Sequence, residues 1–250
     1  MGSQHRKINA GEVFKTNEGG SVTAIEYFDS KRVVIQHNDQ FKFRAVVPAI
    51  QLRGGSVKNP YIEKVYGVGY VGAGNYKTAA NKKDTPQYKS WSSMLRRAYS
   101  AEYHAKNPAY IGVTVCREWM NFQTFAAWWD EQPHSGSAKF ELDKDLRIGG
   151  NREYSPAACS FVPGPVNRLI GKQNSVPGKL TRGVVPTRGR FEARLTVDGR
   201  RLTLGAYATP EQAFHAYTTA KERHVRGMAD HWKWCIHQEV YSYLKNWVLS

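Results

Sequence analysis

Two carboxylates and an amide within 25 residues are the groups best placed to do chemistry. Asp143 and Asp145 flank Lys144 at the end of the short apolar run Phe140–Leu142. A Gly149-Gly150-Asn151 turn follows, then a second apolar run from Cys159 to Val162, then a Pro-started helical turn carrying Asn167. Strand, loop, strand and helix, with oxygen donors at the strand end and on the helix, can hold a divalent metal against a phosphate. The chain returns from Asp143 through a second strand into the helix, so Asp143 and Asn167 can converge on one ion, with Asp145 as an optional further donor. Hard oxygen donors of this kind suit Mg²⁺ or Mn²⁺ better than Zn²⁺. Hydrolysis also needs a group that takes a proton from water. The segment contains no His, and the nearest upstream one is His134. Lys144 is a poor base, because an exposed lysine is protonated at neutral pH; its available role is contact with the scissile phosphate.

The elements that must position these groups lie on both sides. Pro86 to Ala105 reads as an amphipathic helix with Tyr88, Trp91, Leu95, Ala98 and Tyr99 on one stripe and Arg96 and Arg97 off it. Arg117 to Glu131 reads as a second, with Trp119, Phe122, Phe125 or Ala126, and Trp129 at helical spacing. These aromatics are read as core. The run Tyr110–Cys116 between the helices supplies one strand.

Taken in order, YKSWSSMLRRAY, GVTVCREWMNFQTF, LDKDL, the Gly-Gly-Asn turn, YSPAAC and the helical Asn resemble the HNH nuclease motif. The variant it resembles is that of phage and intron-borne homing endonucleases. The resemblance implies a ββα-metal fold, catalytic roles for Asp143, Lys144 and Asn167, and a metal at Asp143, Asp145 and Asn167. It also implies a bacteriophage protein acting in the cytoplasm of a bacterial host. The chain departs from the motif at two positions: the His that follows the first Asp is Lys144, and the middle Asn is Ala158. Slow or nicking-only cleavage is the expectation, through another base or through metal and water alone. The alternative is a catalytically inactive DNA-binding regulator or architectural protein on the same scaffold.

Residues 179–228 read as three strands and a helix. Phe191, Ala193, Leu195 and Val197 alternate with Arg190, Glu192, Arg194 and Thr196, which places the two sets on opposite faces. Leu202 and Leu204 are expected to face inward and Arg201 outward. Asp198-Gly199 is a two-residue hairpin signal. Thr209 with Pro210 and Glu211 opens the helix, and Ala213, Phe214, Ala216, Tyr217 and Ala220 form its inner face. The segment resembles the plant ethylene-response-factor type of DNA-binding domain, which also occurs at the C-terminus of phage HNH proteins. That family lays the outer sheet face in the major groove. The resemblance implies DNA-binding roles for Arg182, Arg188, Arg190, Arg194 and Arg201. Residues 179–226 hold ten Lys or Arg against four Asp or Glu, which suits a polyanion.

Composition narrows the partner further. Lys plus Arg number 36 against 21 Asp plus Glu, a formal charge of +15 and a pI near 9.7. Double-stranded DNA is the natural partner of such an excess; RNA is disfavoured by the lack of an aromatic RNP-like sheet motif. No basic amphipathic helix or spanning apolar run points to a membrane, and the N-terminus lacks the apolar core of a signal peptide. Cys116, Cys159 and Cys235 stand far apart without a CxxC, which fits a reducing cytosol. The expected fold is α+β with four parts. Residues 1–58 form a small β-barrel accessory domain, 59–178 an HNH-like domain with helical lead-in, and 179–228 the sheet-plus-helix DNA-binding domain. Residues 229–250 form a last aromatic helix that packs back on a domain or on a second copy, as in a homodimer. Within this scheme, the glycine-rich stretch 59–85 reads as a loop and His37 as a surface or strand-end residue.

Overall fold

Short alternating runs build the first sheet. In the computed structural model, which describes residues 7–133, 140–169, 182–197 and 199–249, four strands pair antiparallel in chain order. They are β1 (Val13–Lys15), β2 (Ser21–Asp29), β3 (Arg32–His37) and β4 (Arg44–Val47). Val22, Ala24, Val33 and Ile35 turn to one face and are fully buried. The helical turn α1 (Ala49–Arg53) covers them with Ala49 and Leu52, and Ile8 and Val57 complete the cluster. The sheet is open rather than the expected closed barrel, with β1 and β4 as its edges among the described residues. Closure needs strands that tilt and stagger around an axis, and edge strands of three and four residues are too short for that. His37 does end β3, but it is buried at 2% exposure, and its Nε2 has no partner among the described residues.

The chain divides into two compact units, Met1–Lys77 with Met120–Gln123, and Thr78–Trp119 with Thr124–Ser250. In the first, the glycine-rich connector is held by rings, with Tyr61 stacked on Phe41 at 4.6 Å between centroids.

The second unit begins with a hairpin where a loop was expected, β5 (Ala79–Ala80) and β6 (Lys83–Asp84). Thr85 caps α2 (Pro86–Tyr99), its Oγ1 accepting from Tyr88 N at 3.3 Å. Trp91, Met94, Leu95 and Ala98 form its buried face. The apolar pattern predicts one helix through Ala105, yet the chain breaks at Ser100, which is extended at ψ 115 and caps α3 (Ala101–Lys106). A serine hydroxyl that satisfies a free helical N–H favours a new start over continuation. After β7 (Thr114–Val115), Arg117–Met120 is a 3₁₀ turn, so α4 (Phe122–Asp130) begins later than the sequence suggests.

Next comes β8 (Phe140–Asp143), followed by β9 (Glu153–Tyr154), which runs parallel to β7. The strand β10 (Ser160–Pro163) pairs antiparallel with β8 and leads directly into α5 (Gly164–Leu169). A third sheet follows, β11 (Val184–Thr187), β12 (Arg190–Val197) and β13 (Arg200–Tyr207), in that order. The helix α6 (Pro210–Trp232) packs on it, capped by Thr209, and α7 (Gln238–Lys245) closes the chain. Val184, Ala193, Leu195, Ala213 and Tyr217 form the buried centre between sheet and helix. The strand pairing shifts register between Ala193 and Arg194, where Leu204 is the extra residue on β13. Leu204 still packs on the core, whereas Leu202, expected inside, is 47% exposed.

The helix α6 is longer than the segment that resembles a DNA-binding domain. Its first half lies on the sheet. Its second half, with Val225 and Ala229, joins Leu146, Val162 and Val166 of the ββα segment and Val240, Leu244 and Trp247 of the C-terminal region. A boundary at residue 228 therefore falls inside one continuous helix. Trp234, expected on the face of a last helix, lies outside α7 and is 82% exposed.

Candidate functional site

The strand end, the loop and α5 place the expected donors around one cavity of about 130 Å³. Asp143, Lys144, Asp145 and Asn167 all line it. Asp143 is held by local geometry: its Oδ1 accepts from the backbone N–H of Asp145 at 2.8 Å and of Leu146 at 2.7 Å. Its second oxygen has no partner among the described residues. Burial raises the Asp143 pKa, against the two backbone N–H bonds, which lower it. Asn167 donates through Nδ2 to Glu141 Oε2 at 2.7 Å, so its carbonyl oxygen remains open. Lys144 behaves differently. Its Nζ folds back to Asp145 Oδ1 at 2.6 Å and to the Asn151 carbonyl at 2.8 Å, and Asn151 Nδ2 returns a bond to the Lys144 carbonyl. With 13% of the side chain exposed, Lys144 is a latch on its own loop. Ala158 is buried at 3% and offers no donor.

The oxygen donors lining the cavity are of the hard type that Mg²⁺ or Mn²⁺ takes. Asp143 is a half-buried carboxylate with no ion pair among the described residues, and every donor is a hard oxygen. No group of three or more His, Cys, Asp or Glu side chains with metal-holding geometry occurs among those residues. An ion here would rest on Asp143, Asp145 and Asn167, with water completing the shell, which is the usual habit of Mg²⁺. Its chemistry would be to stabilise charge on a leaving oxygen.

Arg97, Tyr110 and Tyr154 were missed by sequence reasoning, yet they line the same cavity. Arg97 sits with its guanidinium 5.2 Å from the Tyr154 ring centre, bonded to Tyr110 and, through Nε, to the Ser93 carbonyl at 3.3 Å. It pairs with no carboxylate among the described residues. The sequence signal was the pair Arg96-Arg97 off the apolar stripe of α2; only the fold shows which of the two reaches the acids. No imidazole lines the cavity among the described residues, and His134 lies outside them. Burial pushes the Cys116 thiol up to about 11 and the Cys159 thiol to about 12, which keeps these two in the thiol form at neutral pH.

The second candidate surface is the outer face of the three-stranded sheet. Arg190 and Arg201 are exposed on it, with Arg201 opposite Thr196 and Arg194 opposite Thr203. Arg194 is half-buried and paired with Glu192 at 2.7 Å. Arg188 lies at the tip of the β11–β12 turn with φ 43, followed by Gly189 at φ 77. Two positive φ values in a two-residue loop are the hairpin geometry that favours Asn or Gly; an arginine there carries backbone strain of the kind that collects at functional sites. Arg182 is placed apart from the others, near Tyr217 and Lys221 of α6. In the other hairpin, Asp198 of the expected Asp198-Gly199 turn lies outside the described residues, and Gly199 has φ 77.

Comparison with protein-family models, with curated proteins and with solved structures finds no match. No helix among the described residues is long and apolar enough to cross a membrane.

Proposed function

We propose that the protein binds duplex DNA and hydrolyses its phosphodiester bonds with a divalent metal. The observation that carries the reading is the convergence of Asp143, Asp145 and Asn167 on one cavity beside an arginine without a carboxylate partner. Asp143, Asn167 and Asp145 would hold Mg²⁺ or Mn²⁺, and the guanidinium of Arg97 would meet the charge that develops on the phosphate. The arginine-bearing sheet face supplies the grip on DNA, supported by the charge of +15. A metal-dependent plasmid-nicking assay tests this: nicking with Mg²⁺ or Mn²⁺ and none with EDTA is expected. Rapid cutting in EDTA would sink the metal assignment.

A second reading, DNA binding without catalysis, is favoured by the folded-back Lys144 and by the lack of an imidazole at the cavity among the described residues. Nicking absent under every metal decides for it.

The two faces of β12 separate binding from folding. Leu195→Ala should cost about 2–5 kcal/mol of stability, since Leu195 is 5% exposed at the centre of its cluster. Arg194→Ala should weaken DNA binding and leave the melting temperature nearly unchanged, because its ion pair is worth at most about 1 kcal/mol. The reverse pattern would mean that the sheet faces are exchanged. Glu192→Gln should tighten DNA binding, since Glu192 both occupies Arg194 and repels phosphate; weaker binding would show that the pair orients the arginine instead. Deleting the C-terminal region is a poor substitute for these variants, because Val225, Ala229, Val240 and Leu244 share a core with the ββα segment.

A further inference from the structure

We propose that the β5–β6 hairpin and the exposed face of α2 form a second binding surface for the sugar-phosphate backbone, leading a strand toward Asp143; this rests on the reading of duplex DNA as the partner. Every residue from Ala79 to Asp84 is exposed, so the hairpin buries no core. An isolated two-stranded hairpin is marginal in water. This one also turns through two non-glycine residues in the left-handed region, Asn81 at φ 50 and Lys82 at φ 61. Packing gives no reason for such a feature, whereas strain of this kind is kept where function uses it. Lys82 and Lys83 are at the tip, and neither is in an ion pair among the described residues.

The hairpin is anchored at the start of α2, where Thr85 N donates to the Thr78 carbonyl at 2.9 Å and the Thr85 side chain caps the helix. From that end Lys89, Ser93 and Arg97 recur every four residues and so share one face, over a length of about 12 Å. All three line a groove of about 660 Å³. The groove shares Arg97, Leu142 and Asn167 with the cavity of Asp143, so the two are continuous. The acid on the groove, Glu141, is already engaged by Asn167 and Arg168. Two cations and a hydroxyl in line match the backbone of DNA, whose contacts position a protein without specifying sequence.

The salt dependence of duplex affinity tests the surface without requiring cleavage. Fluorescence anisotropy would compare the wild type with Lys82→Ala/Lys83→Ala, with Lys89→Ala and with Arg190→Ala/Arg201→Ala, all at exposed positions. Each phosphate contact removed should flatten the slope of log affinity against log salt by roughly one unit. Losses from the hairpin, from α2 and from the sheet should add. A wild-type slope in both the hairpin and Lys89 variants, beside a flattened slope in the sheet variant, overturns this surface and leaves the DNA reading standing. A wild type that binds no duplex at low salt overturns both.

Discussion

Asp143→Asn is expected to abolish cleavage while raising the melting temperature of the metal-free protein. Asparagine keeps an oxygen for the backbone N–H groups of Asp145 and Leu146, so the loop geometry survives. What is lost is the charge that would hold the metal. Removing several kcal/mol of transition-state stabilisation corresponds to roughly a thousandfold in rate. Stability should move the other way because burial raises the Asp143 pKa in the folded state. A carboxyl raised on folding contributes stability below its unfolded pKa, and that contribution is lost as pH rises through the folded value. At neutral pH the native carboxylate is therefore a burden that the amide removes. The advantage of the variant should be largest at neutral pH and vanish below the ordinary aspartate value of about 3.9. Melting curves across pH and nicking assays on the same samples check both halves. A variant that melts lower at every pH would show that the charge, rather than the acceptor oxygen, holds the loop. Undiminished nicking would remove Asp143 from the site.

A loss of stability as large as that of Leu195→Ala is expected from Gly183→Ala. The chain enters the third sheet through this glycine at φ +82. Its carbonyl accepts from Arg194 N at 2.7 Å, so the backbone cannot easily swing aside. A Cβ added there would lie 2.2 Å from Cδ2 of Tyr217. That ring is 4% exposed at the centre of the sheet–helix cluster and has no room to retreat. A side chain in the left-handed region costs about 1–2 kcal/mol, and overpacking adds about 1–3 kcal/mol. The sum, about 2–5 kcal/mol, should lower the melting temperature by roughly 4–20 °C in a chain of this size. Thermal unfolding of the single variant measures it. A melting temperature equal to the wild type would place the entry turn and Tyr217 elsewhere.

Local pattern alone determined a good part of this protein. The alternation Arg190-Phe191-Glu192-Ala193-Arg194-Leu195 divides a strand into a core face and a charged face wherever that strand pairs. The Thr209-Pro210 start announces α6. These features depend on residues close in sequence, so their physics is complete in the chain itself. The tertiary structure decided the rest, because each remaining question turns on a partner far along the chain. Whether the first sheet closes depends on pairing between its edge strands. Leu202 pairs opposite the buried Leu195 yet is 47% exposed, so cover from elements far along the chain, and not its place in the alternation, sets its burial. The reach of α6 past the sheet is set by Val225 and Ala229 finding Leu146, Val162 and Val166. Likewise Arg97, about three helical turns into α2, becomes part of the acid cavity only because β8 and α5 are folded against its side of α2. A side chain's neighbours in sequence set its face; which charge or ring it meets is settled by burial of distant apolar surface.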